Sequence, residues 1–180
     1  MKSMKDVTVG ELHGTSVARG LTEEDCATLV GLCERCIYEA GETVVTEGDR
    51  KRDLLILQKG RIRIEKKDQH GAPRTLSTLE PPTVLGEIGL VMGAPRTATA
   101  IAETEAETLL LGGEGLQALL EKDDLAAYKI SFSVARELAK RQNAMNLEAL
   151  RFMERLAEDP AVRPDQEQEL WDRLLKESSF

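Results

Sequence analysis

The period of apolar positions along the 180-residue chain changes twice. In the stretch from Leu21-Thr22-Glu23-Glu24-Asp25, Thr22 is placed to cap a helix and three acids fill its first turn. Leu29, Val30 and Cys33 supply the apolar face. From Arg35 the texture becomes short β segments broken by glycine: Cys36–Glu39, Thr43–Thr46, Leu54–Gln58, Arg61–Glu65, Arg74–Leu79, Thr97–Ala102 and Thr108–Leu111. Leu54–Gln58 is a continuous apolar run of the buried kind. Arg61–Glu65 alternates as a half-exposed strand should, and Asp68-Gln69-His70-Gly71 reads as a hairpin turn. Many short strands at this spacing predict a β sandwich, roll or barrel.

After Gly112-Gly113-Glu114-Gly115 the helical period returns, first as a short helix at Leu116–Leu120 and then from about Leu125 to Ala157. The apolar stripe of the long helix runs Tyr128, Phe132, Ala135, Leu138/Ala139, Met145, Ala149, Phe152/Met153, Leu156. Such a helix is longer than one barrel needs, so the part beyond Met145 is expected to pack on a second chain or on the final segment. Pro160 and Pro164 break it, and Asp165 can cap a last helix built on Leu170, Trp171, Leu174 and Leu175. That last helix is expected to fold back on the long one; docking to a partner protein is the other use of such a face. Residues 1–20, with Gly10, Gly14 and Gly20 and little periodicity, read as an N-terminal extension with one helical turn around Val7–Leu12.

Composition narrows the class. A chain that is 41% hydrophobic and 31% charged can form one domain with a real core plus an appendage. No apolar run approaches bilayer length, and the N-terminus lacks a signal-peptide core, so a cytoplasmic location without membrane contact is expected. Net charge of −8 argues against a phosphate-backbone partner but leaves room for a small anion in a local pocket. Cys33-Glu34-Arg35-Cys36 is formally a C-x-x-C. Zinc would need two further ligands, and His13 and His70 are the only histidines. Cys26, Cys33 and Cys36 are therefore read as small buried thiols, with no metal and no other cofactor.

The chemistry concentrates in Leu85-Gly86-Glu87-Ile88-Gly89-Leu90-Val91-Met92-Gly93-Ala94-Pro95-Arg96-Thr97-Ala98-Thr99. One acid and one base sit there among small and apolar residues, so they must pair with each other or each find a ligand group. A turn opening at Glu87 leaves the N–H groups of Ile88 and Gly89 facing outward, and Gly86 and Gly89 permit close approach to the backbone. Arg96 completes an anion site, because its fork of donors matches two phosphate oxygens. Glu87 cannot face the same anion and should meet a donor such as a sugar hydroxyl. Either the two residues form a salt bridge or the stretch holds a molecule with an anion beside a hydroxyl.

This stretch strongly resembles the phosphate-binding cassette of cyclic-nucleotide-binding domains. Leu85-Gly86-Glu87-Ile88-Gly89-Leu90 and Pro95-Arg96-Thr97-Ala98-Thr99 carry the likeness, and the spacing of Ala40-Gly41-Glu42, Glu47-Gly48-Asp49 and Lys59-Gly60 extends it over about residues 21–145. The resemblance implies an α+β fold, an antiparallel β-roll (a jelly-roll barrel) flanked by an N-terminal helix and long C-terminal helices. It divides the chain into an extension (1–20), a binding domain with its lid helix (21–145) and a helical extension (146–180). It implies that Arg96 holds the cyclic phosphate with the backbone of Ile88 and Gly89, that Glu87 accepts from the ribose 2′-hydroxyl, and that Thr97, with Ala98 after it, lies beside phosphate and base. Arg141, Gln142 and Met145 are implied as base or lid contacts on the long helix. Arg52, Pro82-Thr83, Leu85 and Gly89 depart from the family pattern, which usually has Asp, Gly-Asp, Phe and Ala there.

The expected function is a cyclic AMP sensor, with cyclic GMP less favoured, that relays binding through its C-terminal helix to an effector protein, with a homodimer through the long helix as a further expectation. The alternative is a roll that no longer binds nucleotide and serves as a scaffold. No catalytic motif is present, so no enzyme is expected. In residues 146–180 acids outnumber bases nine to five, and the segment is too short for a helix-turn-helix, so DNA is not an expected partner.

Overall fold

The structure, a computed structural model, describes residues 1–157. The last helix expected after Asp165, with Leu170, Trp171, Leu174 and Leu175, lies outside the described residues. Two compact units divide the chain, Met1–Glu137 and Leu138–Phe180.

The first unit holds β1 (Lys2–Met4), α1 (Val9–His13), α2 (Glu23–Val30), β2 (Cys33–Tyr38), β3 (Thr43–Val45), β4 (Leu54–Lys59), β5 (Ile62–Lys67), β6 (Pro73–Leu79), β7 (Thr83–Leu85), α3 (Glu87–Met92), β8 (Thr99–Ala102), β9 (Ala106–Leu111) and α4 (Gly113–Leu120). It also holds the start of α5 (Leu125–Ala157), which runs on into the second unit. Strands pair antiparallel in two sheets, ordered β1-β2-β9-β4-β7 and β3-β8-β5-β6. This is the expected antiparallel β-roll flanked by helices.

β4 shows why its sequence is apolar without a break. Leu54 and Ile56 enter the core beneath the helices, beside Leu12, Leu29, Leu109 and Ile130. Leu55 and Leu57 point the other way, into the core between the sheets, beside Tyr38, Ile62 and Ala100. A strand buried on both faces needs apolar residues at every position, each burial contributing about 1.5–3 kcal/mol.

Helix starts obey their caps. Thr22 and Asp25 form a reciprocal capping box at α2, and Thr8 and Glu11 form another at α1. The α2 helix ends at Val30, however, and Cys33 opens β2 instead of extending the helical face. Gly31 provides the C-cap that ends it. All three cysteines are free and buried, and burial pushes the Cys33 thiol up to about 12.

Residues 1–20 pack onto the roll. β1 pairs with β2, while Leu12 and Val17 are fully buried in the helical core. Arg35 ties this segment down, donating to Asp6 at 3.0 Å, to Glu11 at 2.6 Å and to Glu107 of β9.

The stripe expected on α5 also takes a different role. The first turns of α5 are buried through Ala126, Ala127, Ile130 and Val134, whereas Leu125, Tyr128 and Phe132 are exposed. Two alanines bring the helix close to its neighbours, leaving the larger side chains on its outer face. Lys129 fixes the same turns by donating to both carboxylate oxygens of Asp25, at 2.9 and 2.7 Å. In the second unit, the described part of α5 buries Met153 and exposes Met145, Leu147, Leu150 and Phe152.

Candidate functional site: an arginine cradle beside α3

The site forms where β7 ends and the chain turns into α3. Gly86 makes that turn at φ +91° and is the N-cap of α3. Its conformation is one that only glycine adopts without strain, and there is no room for a side chain. A Cβ there would lie 2.6 Å from the carbonyl oxygen of Asp53 and would overlap the Arg96 guanidinium. Glu87 and Gly89 are buried in the first turn of α3. The first backbone bond of that turn runs from the Leu90 amide to the Gly86 carbonyl at 3.0 Å, so the amides of Ile88 and Gly89 precede the ladder. At Gly89 a Cβ would meet its neighbours at 3.4 Å or more, which is ordinary contact.

Arg96 approaches from the loop between α3 and β8. Its backbone is held on both sides: its amide donates to the Asp49 carbonyl at 2.7 Å, and its carbonyl accepts from the Gly48 amide at 2.8 Å. The side chain is 7% exposed. Nη2 donates to the Asp53 carbonyl at 2.6 Å, while Nε and Nη1 are buried with no partner among the described residues. Burial lowers the pKa of Arg96, opposed by the charges of Asp53, Asp49 and Glu87. A buried guanidinium with two such nitrogens is suited to an anion, because leaving such donors unmade costs about 1–3 kcal/mol each, more when charged.

Of the residues expected from sequence, Gly86, Glu87, Gly89 and Arg96 are thus brought together, with the half-buried Ile88 on the same turn. Thr97 is exposed and Ala98 half-buried in the bend that leads into β8, which starts at Thr99 and not at Thr97 as expected. Arg141, Gln142 and Met145 belong to the second unit. There Arg141 is half-buried, Met145 is exposed, and the Gln142 amide donates to Asn146 on the same helix at 3.0 Å.

Sequence reasoning missed Asp53. Its carbonyl holds Arg96, and its carboxylate Oδ1 accepts from the Gly113 amide at 3.1 Å. The backbone of the preceding Arg52 lies flush against Gly113, where a Cβ would meet the Arg52 carbonyl at 2.5 Å. The Arg52 guanidinium lies over Gly93 at the far end of α3, 3.1 Å from the place a Cβ would take. The signal available beforehand was the departure at Arg52, which drew attention to this loop.

Residues 35–123 match the cyclic nucleotide-binding domain family. A solved N-terminal domain of a transcriptional regulator from Streptomyces coelicolor is 30% identical, with TM-score 0.60, covering 77% of this chain and 95% of that one. The cyclic AMP receptor protein of Thermus thermophilus is 29% identical over 143 residues, 79% of this chain and 65% of that protein. Mouse cGMP-dependent protein kinase 2 is 24% identical over 178 residues, 88% of this chain but 23% of the kinase. The chain therefore spans less than two thirds of these full-length relatives. With the fold, these likenesses place it among the antiparallel β-rolls; the chain belongs to the cyclic nucleotide-binding domain family. No helix among the described residues is long and apolar enough to cross a membrane.

Proposed function

We propose that this chain is a cytoplasmic, non-enzymatic sensor that binds a cyclic mononucleotide in the Arg96 cradle. The buried guanidinium with two unpartnered nitrogens carries this reading. A cyclic phosphate supplies the missing acceptors, joined by the amides of Ile88 and Gly89, while Glu87 accepts from the ribose 2′-hydroxyl. Thr97 and Ala98 border phosphate and base, and Arg141, Gln142 and Met145 of α5 close over the base. Cyclic AMP is the preferred ligand and cyclic GMP the lesser one, in keeping with the name of the Thermus relative.

Binding is relayed through α5 to an effector protein by population shift: the ligand favours the closed state and moves the helix. A homodimer through α5 fits the same helix. Leu125, Tyr128, Phe132, Ala135, Ala139, Gln142, Asn146 and Ala149 recur at alternating steps of three and four residues. That is the spacing of a two-helix seam, and a polar residue such as Asn146 within it sets register.

The test is calorimetric titration with cyclic AMP and, separately, cyclic GMP on protein stripped of carried-over ligand. Saturable heat, stronger with cyclic AMP, is expected. No heat with either in folded protein would overturn the reading in favour of a scaffold.

A further inference from the structure

We propose that Asp53 is the positioning residue that couples the phosphate arginine to α4, so that filling the cradle is felt at the first turn of that helix. This rests on reading the cradle as a cyclic nucleotide site. Three observations carry it. The Asp53 carbonyl accepts the one hydrogen bond that the Arg96 side chain makes among the described residues, at 2.6 Å, and its carboxylate accepts from the amide of Gly113, the first residue of α4, at 3.1 Å. Gly112, the N-cap of α4, has no side chain with which to cap the helix, so the Asp53 carboxylate takes that role from a loop of the barrel.

The third observation is the lack of slack. The Asp53 carbonyl packs against the Gly86 backbone, and the carbonyl of the preceding Arg52 packs against the Gly113 backbone. A Cβ on Gly86 would lie 2.6 Å from the Asp53 carbonyl oxygen, and one on Gly113 would lie 2.5 Å from the Arg52 carbonyl oxygen. Backbones packed this closely, with no room for even a methyl group between them, leave little space to absorb a shift. An anion drawing Nε and Nη1 of Arg96 toward itself re-aims the guanidinium and with it the bond to Asp53. The peptide that moves carries the α4 cap on its side chain.

The backbone amide of Gly113 reports the coupling directly by NMR. Asp53→Ala keeps the carbonyl and removes the cap; Asp53→Asn keeps an acceptor oxygen and removes the charge. In ligand-free protein, exchange at the Gly113 amide is expected to quicken roughly fivefold in Asp53→Ala, from the typical worth of a cap, and to stay near wild type in Asp53→Asn. Saturating cyclic AMP is expected to shift the Gly113 resonance in wild type and Asp53→Asn but not in Asp53→Ala. A merely structural cap gives the exchange split between Asn and Ala but no cyclic AMP shift at Gly113 that depends on the Asp53 side chain.

A Gly113 shift that persists in Asp53→Ala, or that is missing from saturated wild type, overturns the proposal. If wild type saturates with neither nucleotide, the cradle reading fails instead, and the ligand-free protein still decides the coupling. Arg96→Ala should then move the Gly113 resonance in the wild-type background and leave it in place in Asp53→Ala; no movement in the wild-type background overturns the coupling.

Discussion

Two glycines three residues apart in the cassette should respond in opposite directions to the same added methyl group. Gly86→Ala forces an alanine to φ +91°, at a cost of about 1–2 kcal/mol for a left-handed conformation. Its Cβ also meets the Asp53 carbonyl at 2.6 Å, and that oxygen is backbone and cannot swing aside. The Arg96 guanidinium, at the end of a flexible side chain, gives way instead and loses its bond to Asp53, a hydrogen bond to a charged group worth about 1.5–3 kcal/mol. The sum is about 2.5–5 kcal/mol, a large part of a domain's usual stability. Gly89→Ala adds a methyl group at ordinary contact distance in the interior of a helix, where alanine is favoured over glycine by about 0.5–1 kcal/mol. Urea melts of both variants, with cyclic AMP titrations of each, should show Gly86→Ala losing stability and binding while Gly89→Ala gains stability and keeps its binding. Equal stabilities for the two variants would refute the claim that Gly86 is required by the packing of Arg96 against Asp53.

Two further expectations concern other parts of the molecule. The Glu11 carboxyl is held at about 2, first by the Arg35 side chain and then by Thr8. A depressed carboxylate stabilises above its unfolded pKa and loses that contribution as pH falls through its folded value, so stability should decline between about pH 4.5 and 2. Urea midpoints across that window should fall less steeply in Glu11→Gln. Phe132 is 66% exposed on α5, so Phe132→Glu should leave the melting transition nearly unchanged while converting a homodimer to monomer in sedimentation velocity at micromolar concentration. A monomeric wild type would remove the dimer.

Features governed by local residue chemistry were legible in the sequence. The turn at Gly86 into α3, the Thr22 cap and the start of α5 at Leu125 all follow from residue types at fixed offsets. β7 was passed over because three residues after Pro81-Pro82 are too few to show a period. The face that α5 buries was misjudged because the helix carries two apolar stripes, and only packing chooses between Ala126/Ile130 and Tyr128/Phe132. Leu12 and Val17 were missed for a related reason, since isolated apolar residues between glycines show no pattern until β1 pairs with β2. Asp53 lies beyond sequence reasoning in another way. It holds Arg96 through a backbone carbonyl, which every residue possesses, so no residue type advertises the role.

The most direct measurement is the cyclic AMP affinity of Arg96→Ala against wild type, taken together with the ligand-free stability of both. Two charge-assisted bonds from Nε and Nη1 to phosphate are worth about 3–6 kcal/mol together, so affinity should fall at least about 100-fold. Without ligand, the loss of the Arg96 bond to the Asp53 carbonyl is offset by removal of two unsatisfied buried donors, so the variant should stay folded with stability near that of wild type. Affinity unchanged in a folded Arg96→Ala protein would contradict the cradle as the phosphate site.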